Sequence, residues 1–151
     1  MQITTCTYLI KTQFLGFRYS GWQKQPGQKT VEGMLLKTLD FIVPGREFKI
    51  LGAGRTDAKV SALDYYFELF IKGRAIEDIP DFIEIFNKNL PPDIRIVTVS
   101  PVDAQFNIIQ NSTLKEYVYL FSFGEKNHPF FTKFTPSITS PYSRPFSTRI
   151  S

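Results

Sequence analysis

Residues 62 to 71, ALDYYFELFI, set Leu63, Tyr65, Phe67, Leu69 and Ile71 against Asp64, Tyr66, Glu68 and Phe70. A period of two sends alternate side chains to opposite faces of a pleated strand, so the apolar face of this run has to be covered. Partners and cover are both legible in the chain. CTYLIKTQFL, residues 6 to 15, repeats the period with Tyr8, Ile10 and Phe14. Thr30 is placed to cap a helix with the stripe Val31, Met34, Leu35, Leu39 and Ile42, which Pro44 and Gly45 stop. A short strand is expected over 46 to 51, and a second helix from Asp78 to Asn89 with Ile79, Phe82, Ile83, Phe86 and Leu90 on one face. Two further strands are expected over 94 to 99 and 116 to 123.

The order strand, helix, strand, strand, helix, strand, strand predicts an α+β fold. Its antiparallel sheet carries two helices on one face, in the ferredoxin-like or RRM-like (RNA-recognition-motif) arrangement. At 151 residues one domain is expected, over residues 1–131, and the Ser/Thr/Pro-rich stretch 132–151 reads as a poorly ordered tail. An apolar content of 42% argues against disorder elsewhere, and no run approaches the ~18 apolar residues of a membrane span. MQITTCTYLIKTQF has no secretory signal pattern, so a soluble, cytoplasmic protein is expected, with no membrane partner. Cys6 and His128, each the sole residue of its type, are too few for a zinc site, and no metal is expected. They also argue against a nucleophile paired with histidine.

GAGRTDAKVSA, residues 52 to 62, sets a polar trio among small residues between two expected strands. It lacks the glycine and lysine spacing of phosphate loops. Asp57 is left as a carboxylate able to act as nucleophile or base, with Arg55 two residues earlier to keep it ionised or to grip a phosphate. A turn aspartate bonded to its own backbone is the plainer alternative, and residue spacing leaves both open. Positive charge gathers here, because residues 1 to 59 hold nine basic and four acidic residues whereas residues 60 to 151 hold nine and ten. GFRYSGWQKQPGQK, residues 16 to 29, is a basic loop without an acid. Its cations interleaved with rings suit phosphate contact and base stacking, although solubility alone also favours basic loops.

GRTDAKVSA resembles the AGRTDAGVHA signature of the TruA-type tRNA pseudouridine synthases. GFRYSGWQKQ resembles their G..Y.GWQ.Q loop, VEGMLLKTL their first helix, NKNLPPDIRI their N..LP.DI segment and KEYVYLF their [RK].Y.Y strand. The matches run in family order from residue 7 to about 130. The resemblance implies that Asp57 is the catalytic aspartate and that Tyr117 stacks on the flipped base. It makes Arg55 the arginine that pairs with the aspartate and helps hold the nucleotide. No cofactor is implied, and tRNA is the implied partner, at uridines of the anticodon stem-loop. Arg18, Trp22, Gln23, Lys24, Gln25 and Lys59 are candidate RNA contacts, with loop packing the alternative for Trp22. The chain departs from the pattern at Lys59 and Ser61, where the family has Gly and His, and at Ile109, where a basic residue is lost. The family is built from two similar halves, so a homodimer or a missing second half-domain is the expected protein partner. A catalytically incompetent half that binds RNA is the other function left open.

Overall fold

The structure, a computed structural model, describes residues 4–124, 126–133, 135 and 137–138. Two compact units divide between Thr113 and Leu114. In the first unit β1 (Thr5–Phe14) is followed by a 3-10 turn at Gly16–Arg18, α1 (Val31–Ile42), β2 (Phe48–Gly52), β3 (Ala62–Lys72), α2 (Ile79–Asn89), β4 (Ile94–Val102) and the single turn α3 (Ile108–Asn111). The sheet order is β2-β3-β1-β4 with every neighbouring pair antiparallel. This is the α+β, ferredoxin-like arrangement that the periodicities predict.

Helix starts follow their caps. The Thr30 hydroxyl accepts the Gly33 N–H at 3.1 Å, and the Asp78 carboxylate accepts the Asp81 N–H at 2.9 Å, each satisfying a donor that the first helical turn leaves unpaired. Val31, Leu35 and Leu39 of α1 and Phe82 and Phe86 of α2 are buried with Tyr8, Ile10 and Phe14 of β1 and Tyr65, Phe67, Leu69 and Ile71 of β3. Both helices therefore cover one face of the sheet. Asn87 fastens α2 to β4 by mimicking a strand edge: its side chain donates to the Ile96 carbonyl at 2.9 Å and accepts the Ile96 N–H at 2.8 Å.

Two local expectations change. Leu63, on the predicted apolar face, is 81% exposed. It lies where the β1–β3 register breaks between the Thr12–Tyr65 and Phe14–Ala62 pairs, at an end of the strand that the core does not reach. The strand expected over 116 to 123 is reduced to β5 (Ser122–Phe123), which pairs in parallel with β6 (Ser137–Ile138) in the second unit. Alternating aromatics fit a pleated surface, but a strand forms only with a partner ladder, and residues 116 to 121 have none among the described residues. Most of the expected tail, residues 134, 136 and 139–151, lies outside the described residues.

Candidate active site

The loop between β2 and β3 is held from two sides. From the sheet, the Tyr66 carbonyl accepts the Ala53 N–H at 3.0 Å, and the buried Tyr65 hydroxyl donates to the Gly54 carbonyl while also accepting its N–H at 3.4 Å. From the basic loop, Trp22 N–H donates to the Thr56 carbonyl at 3.2 Å. The Tyr19 carbonyl accepts the Lys59 N–H at 3.1 Å, and Gly16 N–H donates to the Ser61 hydroxyl at 2.9 Å. Within the loop, Val60 N–H closes a turn on the Asp57 carbonyl at 3.3 Å.

This contact is too close for side chains on the basic loop. A Cβ at Gly16 would lie 1.7 Å from the Val60 carbonyl oxygen, and one at Gly21, where φ is +87°, would lie 2.4 Å from the Thr56 carbonyl oxygen. Trp22 lies beneath the junction. It is 3% exposed, with its ring 4.2 Å from that of Tyr65 and 6.2 Å from that of Phe14. Of the roles expected for Trp22, burial supports packing, and its ring is not presented to a ligand here.

On this base Arg55, Asp57 and Lys59 are exposed, as are Gln23, Lys24 and Gln25 on the facing loop. No ion pair joins Arg55 to Asp57, and among the described residues neither charge is paired with another side chain. Tyr117 belongs to the second unit and is exposed. Among the described residues no group of three His, Cys, Asp or Glu side chains could hold a metal ion, and no helix is long and apolar enough to cross a membrane.

Lys59 is in the left-handed region, with φ at 68°. A side chain there crowds its own backbone by about 1 kcal/mol, which glycine avoids, and this accounts for the glycine in the family pattern. Lys59→Gly is expected to raise the free energy of unfolding by up to about 0.5 kcal/mol, less than the full strain because glycine loses more freedom on folding. Urea denaturation measures it, and a loss of stability would contradict the strain.

Arg18, a candidate RNA contact, is also engaged within the protein. Its guanidinium grips Asp93 with Nε at 2.7 Å and a terminal nitrogen at 2.7 Å, while the buried Tyr19 hydroxyl donates to the other carboxylate oxygen at 2.6 Å. Burial alone raises the Asp93 carboxyl, but the Tyr19 and Arg18 hydrogen bonds and the Arg18 charge outweigh it and hold the group below its ordinary value. Burial and the adjacent carboxylate push the Tyr19 phenol up. Sequence reading missed this cluster because it joins residues 74 positions apart; the NLPPD segment carrying Asp93 was its only signal.

Asp93→Asn should lower stability at neutral pH by about 1–3 kcal/mol, the scale of hydrogen bonds to a charged group. Because the folded value is depressed, the contribution is present above the unfolded value of about 3.9 and disappears as pH falls through the folded one. The gap between wild type and variant in urea unfolding should thus narrow toward about pH 2. A gap independent of pH would assign it to packing instead.

The sheet and this loop together define an α+β unit of the ferredoxin-like type, with an exposed arginine and aspartate on a loop braced from two sides. No family model matches the chain. The tRNA pseudouridine synthase A of Hydrogenobaculum sp. is 33% identical over 129 residues, covering 82% of this chain and 51% of that protein. The tRNA pseudouridine synthase A of Aquifex aeolicus is 32% identical over 130 residues, 85% of this chain and 52% of that protein. That of Mycoplasma capricolum is 40% identical over 100 residues, 66% and 39% of the two chains. The chain belongs to the TruA-type tRNA pseudouridine synthase family. It spans about half the length of the curated relatives it matches.

Proposed function

We propose that the chain is the N-terminal catalytic half of a tRNA pseudouridine synthase, over residues 1–131, and isomerises uridine to pseudouridine in the anticodon stem-loop of tRNA. The observation that carries this reading is the placement of Asp57, exposed on a loop that hydrogen bonds fasten to both the sheet and the basic loop. In the proposed reaction the bond from the uracil N1 to the ribose breaks, the base turns, and carbon 5 forms the new bond to the same ribose carbon. The proton leaves carbon 5 and N1 gains one, so atoms balance with no cofactor. Asp57 acts on the target nucleotide, Arg55 holds the flipped nucleotide, and Tyr117 offers its ring to the base. Lys24, Lys59, Gln23 and Gln25 contact RNA, with Arg18 contributing the part of its charge that Asp93 leaves. A cytoplasmic location follows from the substrate.

The half-length match to the relatives favours a second reading, in which this half binds tRNA and turns over only with a second half-domain or as a homodimer. Nucleoside chromatography of tRNA incubated with the purified chain separates the two. Pseudouridine formation supports the enzyme, whereas salt-sensitive binding without product supports the binding half. Neither binding nor product would contradict both.

A further inference from the structure

Even-numbered residues of β3 project from the sheet face that α1 and α2 leave uncovered. Glu68 is buried there, with its Oε2 accepting the N–H of Ile108 in α3 at 3.2 Å. Tyr66, two residues earlier, keeps 37% of its surface in solvent. Its register partner is Lys11, whose ammonium lies 5.8 Å from the ring centroid and is held there by Asp64 at 2.6 Å. A second such pair lies further along the face, with the Lys49 ammonium 4.7 Å from the centroid of Phe70. Tyr66 also adjoins the motif loop, because its carbonyl accepts the N–H of Ala53, the residue after β2. An exposed ring therefore stands at the foot of the loop carrying Arg55 and Asp57.

We propose that Tyr66, with its ring steadied by Lys11, is a stacking contact for an unpaired base of the RNA strand adjoining the nucleotide presented to Asp57. The proposal rests on the tRNA reading above and assigns that site a further recognition residue. A ring with a neighbouring ammonium offers a π face to a base and positive charge to the backbone, a combination that suits single-stranded nucleic acid without demanding a particular sequence. The surroundings favour RNA over a protein partner. Charged residues are depleted from the cores of protein interfaces, yet Lys11, Asp64 and Lys49 all lie on this face. The segment that supplies both lysines also has an excess of five positive charges. Asp64 neutralises much of Lys11, so the ring rather than the ammonium carries the affinity.

Equilibrium binding of tRNA to the purified chain, repeated across a salt series, tests this with Tyr66→Ala, Tyr66→Thr and Tyr66→Phe. Thr is included because it retains strand propensity without a ring, and thermal unfolding establishes which variants are folded. Loss of the stack is expected to weaken binding about tenfold in the Ala and Thr variants while leaving the slope of log affinity against log salt unchanged. Tyr66→Phe should bind within about twofold of wild type, since it keeps the π face. Wild-type affinity in a folded variant without the ring would overturn the proposal and leave the tRNA reading standing. A flatter salt slope would overturn it too, by assigning the loss to Lys11. A wild-type chain with no affinity for tRNA at low salt would overturn the tRNA reading itself, and the proposal with it.

Discussion

Gly16→Ala is expected to lower the free energy of unfolding by about 3 kcal/mol, the upper end of the usual cost of overpacking a well-packed site. The added methyl would sit 1.7 Å from the Val60 carbonyl oxygen and 2.4 Å from the carbonyl carbon. Both are backbone atoms, so no rotamer change relieves the clash and one loop has to move. The movement would strain the Gly16–Ser61 hydrogen bond and, through it, the loop that holds Asp57. For a unit of this size the loss corresponds to about 10 °C in Tm, readable by circular dichroism. Gly27 is the control: a Cβ there meets nothing within 4 Å, so its substitution is limited to the strain of its φ of +69°. A Gly16→Ala protein as stable as wild type would mean that the two loops are not in contact.

Asp57→Ala is expected to abolish turnover, by a thousandfold or more in kcat, with stability changed by no more than about 0.5 kcal/mol. The separation follows from its position. The Asp57 side chain is exposed, whereas its carbonyl holds the Val60 N–H and survives the substitution. Asp57→Asn is the sharper variant, because it keeps the shape and removes only the charge and basicity. The two glycine contacts, Tyr65 and Trp22 hold the loop's backbone and are assigned no part in the proposed chemistry. Asp57 would do the reverse.

Periodicity was informative wherever burial is one-sided. The alternation in residues 62 to 71 and the stripes of α1 and α2 report directly which side chains leave water, and the order of elements then leaves few sheets to choose from. It failed at Leu63 and over residues 116 to 121, because the end of a core and the presence of a pairing edge are set by distant parts of the chain. The motif itself was legible as a run of small and polar residues. Its support was not: the burial of Trp22 against Tyr65, the Arg18–Asp93–Tyr19 cluster and the left-handed backbone at Lys59 all depend on contacts between segments far apart in sequence. Lys59 is the instructive case. The substitution of Lys for Gly was visible, but only the φ of +68° identifies what glycine would relieve.

The most direct test is tritium release from tRNA labelled at carbon 5 of uridine, because that hydrogen leaves only when the base has been reattached through carbon 5. The account predicts release by the purified chain, alone or, on the second reading, supplemented with a second half-domain, and none when Asp57→Ala replaces the wild type under the same conditions. Undiminished release by a folded Asp57→Ala protein would contradict the assignment of Asp57, and no release by the wild type under either condition would contradict the proposed activity.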